Sequence, residues 1–301
     1  MRSFPARVSN MACWPDRGRS QFFHGTLSVY WAHAVKLLKT NEIKLQALCD
    51  CMNGKLATCT LVVPCYNEAA RLPKDEFLRF ARETPAVRYL FMNDGSKDGT
   101  SEMLRDLVAR IPEQAKLFDN AVNQGKAGVV RQGMLWVLEE GKTDYAGYWD
   151  ADLATPLQAV FPMVETLEAA ASLDMVFGAR VQLLGRHIER KAYRHYLGRV
   201  FATVASTILR LPVYDTQCGA KLFRVTPRLK PLFADPFVSR WIFDVEIIAR
   251  YIKLDGAAKA KEGIYEFPLP VWKDIDGSKV KPQDFFKALR DLLLIRRRYE
   301  L

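Results

Sequence analysis

The chain has 301 residues, is 49% apolar and carries aromatics throughout, which is enough to bury a large core and excludes a disordered or low-complexity protein. Its net charge of +10 asks for an anionic partner, yet the basic residues are dispersed and no zinc finger, RRM-like signature or helix-turn-helix is present, so nucleic acid is not the expected one. Six cysteines without a paired C-x-x-C, and only four histidines, argue against a disulfide framework or structural zinc and for a reducing compartment.

The first stretch, Met1 to Cys51, carries no motif, and Met52-Asn53-Gly54-Lys55 close before the first apolar run resembles a natural start. That segment is expected to be upstream translation or a loosely attached extension. Met1 to Pro5 lacks the apolar core of a secretory signal, and no window approaches the roughly 20 apolar residues of a membrane span. Leu61-Val62-Val63-Pro64 then reads as a buried strand, with Cys65-Tyr66-Asn67-Glu68 where it stops. A second run, Val87 to Met92, is cut by Asn93 to Thr100, a segment dense in turn formers. Asn123-Gln124-Gly125-Lys126-Ala127 precedes a helical spacing of Val130, Met134 and Val137. Strands alternating with helix-length segments predict an α/β fold with a mostly parallel sheet, whose ligands sit beyond the carboxyl ends of the strands.

Tyr148-Trp149-Asp150-Ala151-Asp152 ends the next apolar run with two carboxylates one residue apart. In a strand that spacing aims both side chains to one side, where they can converge on a hard divalent cation. Asp-x-Asp alone is a weak signal, because the pair often lies in a solvated loop. Here it follows three other polar strand ends, which makes one shared site the economical interpretation.

These pieces resemble the family 2 glycosyltransferases, with a nucleotide-sugar-binding GT-A fold. The matching stretches are VVPCYNEAARLP (62–73), NDGSKDGT (93–100), NQGKAGVVRQGM (123–134) and DADLATP (150–156). They continue through FGAR (177–180), VYDTQCGAKLFR (213–224) and RWIFDVE (240–246), so the resemblance spans roughly Thr58 to Trp272. Within the family, the last two stretches are most similar to dolichyl-phosphate β-glucosyltransferases. The resemblance implies an inverting, metal-dependent transfer of glucose from UDP-glucose to a polyprenyl phosphate. Transfer of mannose from GDP-mannose, or transfer to a saccharide acceptor, are the alternatives.

The same resemblance implies the roles of individual residues. Pro64, Tyr66, Glu68 and Asp94 match the pocket for base and ribose, whose donors suit carboxylates; Asp94-Gly95-Ser96 alone would also read as turn chemistry. Gly125, Lys126 and Ala151 match further parts of the nucleotide-sugar site, with Arg131 a weaker candidate. Gly125-Lys126 is no Walker loop, since Ala127 replaces the hydroxyl residue. Asp152, assisted by Asp150, is expected to hold Mg²⁺ or Mn²⁺, which would neutralise charge on the UDP leaving group. Many mannosyl relatives have a glutamine near the metal where this chain has Ala154. Arg180, Lys221 and Arg224 are the implied acceptor-phosphate cations, and Gly219 would permit a tight backbone beside them. Asp150, Asp152, Lys221 and Asp215 make up the implied catalytic set. Asp215, Asp244 and Glu246 would orient cations, or one of them would act as base if the acceptor were a sugar hydroxyl. A phosphate acceptor demands no base, because its second pKa of about 6 leaves it mostly dianionic at neutral pH. Trp241 is assigned either to the donor sugar or to the core.

Two basic, apolar stretches remain. From Arg186 through Leu211, Arg186, Arg190 and Arg194 recur every four positions beside Tyr193, Leu197, Val200, Phe201 and Val204. This predicts either an interfacial helix holding a lipid phosphate or an amphipathic helix packed on the sheet. Near the C-terminus, Phe285, Phe286, Leu289, Leu292 and Leu293 precede Arg296-Arg297-Arg298, which fits a lipid anchor, a docked terminal helix or an oligomer contact. The expected organisation is an extension over 1–55, a GT-A domain over 56–275 and an amphipathic basic helix over 276–301. Its expected place is cytoplasmic, peripheral on the cytosolic face of a membrane.

Overall fold

The apolar runs pair into one mixed sheet. The computed structural model describes residues 57–275 and 284–301; the expected N-terminal extension, and the start at Met52, lie outside them. Strands β1 (Cys59–Cys65), β2 (Val87–Asp94), β3 (Ala115–Asn120) and β4 (Tyr145–Trp149) are mutually parallel in the order β3-β2-β1-β4. β5 (Met175–Ala179) and β8 (Ile264–Pro268) extend the sheet on the far side of β7 (Ala220–Arg224), which lies between β4 and β5 and runs antiparallel to both. A separate two-stranded ribbon pairs β6 (His187–Glu189) with β9 (Val271–Lys273).

Both faces of the sheet are covered, which is why its strands read as continuous apolar runs instead of alternating ones. Along β1, Leu61 and Val63 point to one core and Val62 to the other, and all three are fully buried. The first core is closed by α1 (Lys74–Glu83), α2 (Thr100–Arg110) and α4 (Val160–Ala169), through Phe77, Leu104 and Met163 among others. The second is closed by α3 (Lys126–Glu140), α5 (Ala192–Leu209), α6 (Leu229–Ala234), α7 (Phe243–Gly263) and α8 (Asp284–Tyr299).

Two features differ from the sequence reading. The helix predicted from Arg186 begins at Ala192, because His187–Glu189 is drawn into β6 with Ile188 opposite Trp272. The three arginines spaced by four therefore do not share one helical face; Arg194 is on the helix and pairs with Asp274 at 2.7 Å. The apolar side of the helix is real but divided: Phe201 is buried, whereas Tyr193, Tyr196, Leu197 and Val200 are exposed. At the C-terminus, α8 is docked: Leu292 and Ile295 are fully buried, and the Tyr299 hydroxyl donates to Glu246 at 2.8 Å. No helix among the described residues is long and apolar enough to cross a membrane.

Candidate active site

A cavity of about 720 Å³ opens beyond the carboxyl ends of the parallel strands. The end of β1 and the loop after it form part of the lining and bring Pro64, Tyr66 and Glu68 to it. The turn after β2 fixes that loop. Ser96 Oγ accepts the Asn67 N–H at 2.9 Å, Thr100 Oγ1 accepts the Glu68 N–H at 2.8 Å, and Asn67 Oδ1 accepts the Lys97 N–H at 2.8 Å. The hydroxyls and amide of the NDGSKDGT stretch thus hold the neighbouring motif in shape. Asp94 lines the same cavity, but its carboxylate accepts the N–H groups of Gln124 at 2.6 Å and Gly125 at 3.0 Å. Burial raises its pKa despite those bonds. Asp94 therefore sets the loop that opens α3, in keeping with its turn chemistry.

Lys126, in the first turn of α3, places Nζ 2.5 Å from Asp150 Oδ1. Burial works against its charge, but Asp150 and Asp244 outweigh that and hold its pKa above the ordinary value. Asp150 is itself seated on the turn before β7: its N–H donates to the Gly219 carbonyl at 2.9 Å, and a Cβ at Gly219 would lie 1.8 Å from Asp150 Oδ2. Only glycine allows that approach. Asp152 Oδ1 accepts the Ala154 N–H at 3.2 Å, while Oδ2 lies 2.6 Å from Arg71 Nη2. Burial, and then the neighbouring charge of Asp150, raise the pKa of Asp152. Arg71 also approaches Glu68 at 3.6 Å. It sits inside the first motif, but no local signal marks its role, because its partner Asp152 is so distant along the chain.

The same cavity is also lined by Arg180, Arg190 and Asp215. Arg180, at the end of β5, makes a two-pronged pair with Asp215, Nε to Oδ2 at 2.6 Å and Nη2 to Oδ1 at 2.8 Å, and its N–H donates to Oδ2 at 3.0 Å. Burial alone would raise the Asp215 pKa, but the Arg180 charge and hydrogen bonds drive it well below the usual carboxylate range. Beside this pair lies Arg190, which makes no ion pair among the described residues. Burial and the Arg180 charge lower its pKa to about 10, so it remains a cation at neutral pH. Its guanidinium rests on α5 at Gly198, where a Cβ would come within 2.5 Å of Nη2. Trp241 lines the cavity and is partly exposed, so it is not a core tryptophan.

Two expected acceptor cations are elsewhere. Lys221 is fully buried in the second core, where Nζ donates to the Cys218 carbonyl at 2.5 Å and pairs with Asp244 Oδ1 at 2.6 Å. The Tyr148 hydroxyl donates to the same Asp244 oxygen at 2.6 Å. Arg224 lies opposite Tyr145, at the start of β4, and donates to the Leu173 carbonyl at 3.1 Å. The reason is the direction of β7. It starts at the cleft and runs away from it, so Lys221 turns into the core and Arg224 reaches the far edge of the sheet. Glu246 is likewise outside the cleft, where it accepts from the Val238 N–H at 2.7 Å and Arg250 Nη2 at 2.9 Å.

The donor set fits a cation that brings its own remaining ligands. Among the described residues no group of three or more His, Cys, Asp or Glu could hold a metal ion. Two carboxylates at a strand end suit Mg²⁺ or Mn²⁺ only if diphosphate oxygens and water complete the shell, which is the usual arrangement at phosphate-binding magnesium sites.

Known proteins carry the same framework. The family model "Glycosyl transferase family 2" matches residues 60–227. The chain is 32% identical over 257 residues to a dolichyl-phosphate beta-glucosyltransferase of Dictyostelium discoideum, covering 80% of this chain and 75% of that protein. It is 31% identical over 261 residues to the Homo sapiens protein of the same description, covering 80% and 75%. Among solved structures, glucosyl-3-phosphoglycerate synthase from Mycobacterium tuberculosis, in complex with Mn²⁺ and UDP-glucose, has a TM-score of 0.58 at 16% identity, covering 84% of this chain and 82% of that one. That likeness shows the GT-A fold. Because the family match encloses the strand-end loops, both aspartates and Arg180, the chain belongs to glycosyl transferase family 2.

Proposed function

We propose that the protein transfers glucose from UDP-glucose to the phosphate of dolichol or another polyprenol, at a membrane surface. The observation that carries this reading is a single cavity lined both by the paired carboxylates Asp150 and Asp152 and by the cations Arg180 and Arg190. The described relatives named as dolichyl-phosphate β-glucosyltransferases support the donor and acceptor.

Asp152 and Asp150 would hold Mg²⁺ or Mn²⁺, which supplies Lewis-acid stabilisation of the departing diphosphate. Lys126 lies against Asp150 and adds positive charge where the diphosphate would sit. Tyr66, Glu68 and Trp241 offer the pocket for nucleoside and sugar. Arg180 and Arg190 orient the acceptor phosphate, replacing Lys221 and Arg224 in that role, and Asp215 keeps the Arg180 guanidinium in place. A phosphate oxygen forms the bond to the anomeric carbon as the bond from that carbon to the UDP oxygen breaks. With a second pKa of about 6 the acceptor is already largely dianionic, so no side chain must take a proton.

Exposed Tyr193, Tyr196 and Val200 on α5, and Phe286, Leu293 and Leu294 on α8, with Arg296, Arg297 and Arg298, support peripheral attachment to an anionic bilayer. The free, buried Cys59 and Cys218 fit a reducing, cytosolic face. The test is incubation of purified protein and Mg²⁺ with labelled UDP-glucose or GDP-mannose, with and without a polyprenyl phosphate. Label entering organic solvent from UDP-glucose, dependent on the lipid, is the expected result. Label from GDP-mannose alone would reassign the donor, and label on free saccharide alone would reassign the acceptor.

A further inference from the structure

Part of the cavity lining is apolar. Leu197, Phe201 and Ala202 of α5 face into it, with Ile242 ahead of α7 and Phe285 and Ala288 of α8. Phe201, Ile242, Phe285 and Ala288 belong to one contiguous apolar cluster, so this wall is a continuous surface. Glucose hydroxyls and phosphates placed there would lose water without gaining partners, which is unfavourable for polar groups and favourable for hydrocarbon.

The wall also adjoins the cations. Arg190 lies on Gly198, the next residue after Leu197, and Phe201 follows Leu197 by one helical turn on the same face. Resting on the acceptor assignment above, we infer that the groove between α5 and α8 is the seat of the first isoprene units of the acceptor, with α8 as its outer wall. The phosphate sits at Arg180 and Arg190, and the chain runs along Leu197 and Phe201 past Phe285 and Ala288. The C-terminal helix is then part of the substrate site, and it is what separates a prenyl phosphate from a water-soluble phosphomonoester.

The test is calorimetric binding of farnesyl phosphate and of methyl phosphate to the full chain with UDP and Mn²⁺ present, followed by glucose transfer to farnesyl phosphate. Farnesyl phosphate is expected to bind at least about 10-fold more tightly than methyl phosphate, given the apolar area it buries. Ala288→Trp, which fills the groove, is expected to remove that advantage while UDP and methyl phosphate bind as before. Leu197→Ser, at a partly exposed position where folding is little affected, is expected to reduce the advantage at least about fivefold. Equal binding of the two phosphates by the unaltered protein overturns the groove, and so does an unchanged preference in Leu197→Ser. Tight farnesyl phosphate binding without glucose transfer sinks the proposed reaction and leaves the groove standing. Transfer with the same KM for farnesyl phosphate in both variants does the reverse.

Discussion

The two halves of the cleft are built by different means. The carboxylate half rests on the ends of parallel strands, where loops are short and are pinned by one another's hydroxyls and amides. The cationic and apolar half is assembled from a β-strand end, a loop, and two helices that approach from separate parts of the chain. A strand end fixes a side chain through the sheet, whereas a helix wall fixes it through packing. The first half should therefore fail abruptly when altered, and the second by degrees.

The largest expected effect falls where strand end meets strand start. Gly219→Ala would drive a Cβ into Asp150, and transfer should fall by about 1,000-fold with Mn²⁺-dependent UDP binding lost, as read by calorimetry and initial rates. Near-normal UDP binding in this variant would break the view that Asp150 is seated on that turn.

Next comes Lys221. Removing one partner of its buried pair, as in Lys221→Met, should cost roughly 3–5 kcal/mol in urea unfolding, because Asp244 would be left as an uncompensated buried charge. The double change Lys221→Met with Asp244→Asn should recover most of that stability, and acceptor KM should stay near normal. A stable double variant with a greatly raised acceptor KM would return Lys221 to the acceptor site.

Arg190 and Arg224 give a smaller and cleaner contrast. Arg190→Ala should raise the acceptor KM about 10- to 100-fold, the range for a lost charge-assisted contact, with the UDP-glucose KM unchanged. Arg224→Ala should leave both KM values alone and lower thermal stability only, since its bonds are to carbonyls and the Tyr145 hydroxyl at the far edge of the sheet. A matching acceptor defect in both variants would erase the distinction between them.

The smallest effect is in acid. Asp215 has a folded pKa below its unfolded value near about 4, so its contribution to stability is complete above that pH and is lost as the pH falls towards the folded pKa. Between about pH 5 and 3 the melting temperature of Asp215→Asn should therefore decline less steeply than that of the unaltered protein. Parallel declines would mean that the Arg180 pair adds no acid sensitivity.

The carboxylate half was legible because each signal is local. An apolar run, a cluster of turn formers and a charged residue occur within a few positions, and parallel order brings successive run ends to one edge. Strand direction is not a local signal. Nothing within Ala220–Arg224 states that it runs antiparallel between two strands it does not follow, and that reversal misplaced Lys221 and Arg224. The start of α5 was obscured for a related reason: the pairing of Ile188 with Trp272 is long-range and overrides a plausible helical spacing. Arg71 lies within the first motif and Arg190 within the arginine stripe, but their surroundings depend on Asp152 and Gly198, which only the folded chain brings near.

The insertion of β7 also governs how the molecule is made. The four parallel strands leave the ribosome first and can pair among themselves, but the outer edge of β4 then stands open until β7 arrives. An open edge invites pairing with other chains, so nascent protein in that interval is the form most exposed to aggregation. Asp150 gains its seat on Gly219 only when that edge closes, and the protein cannot acquire a finished donor site before most of its sequence has been synthesised.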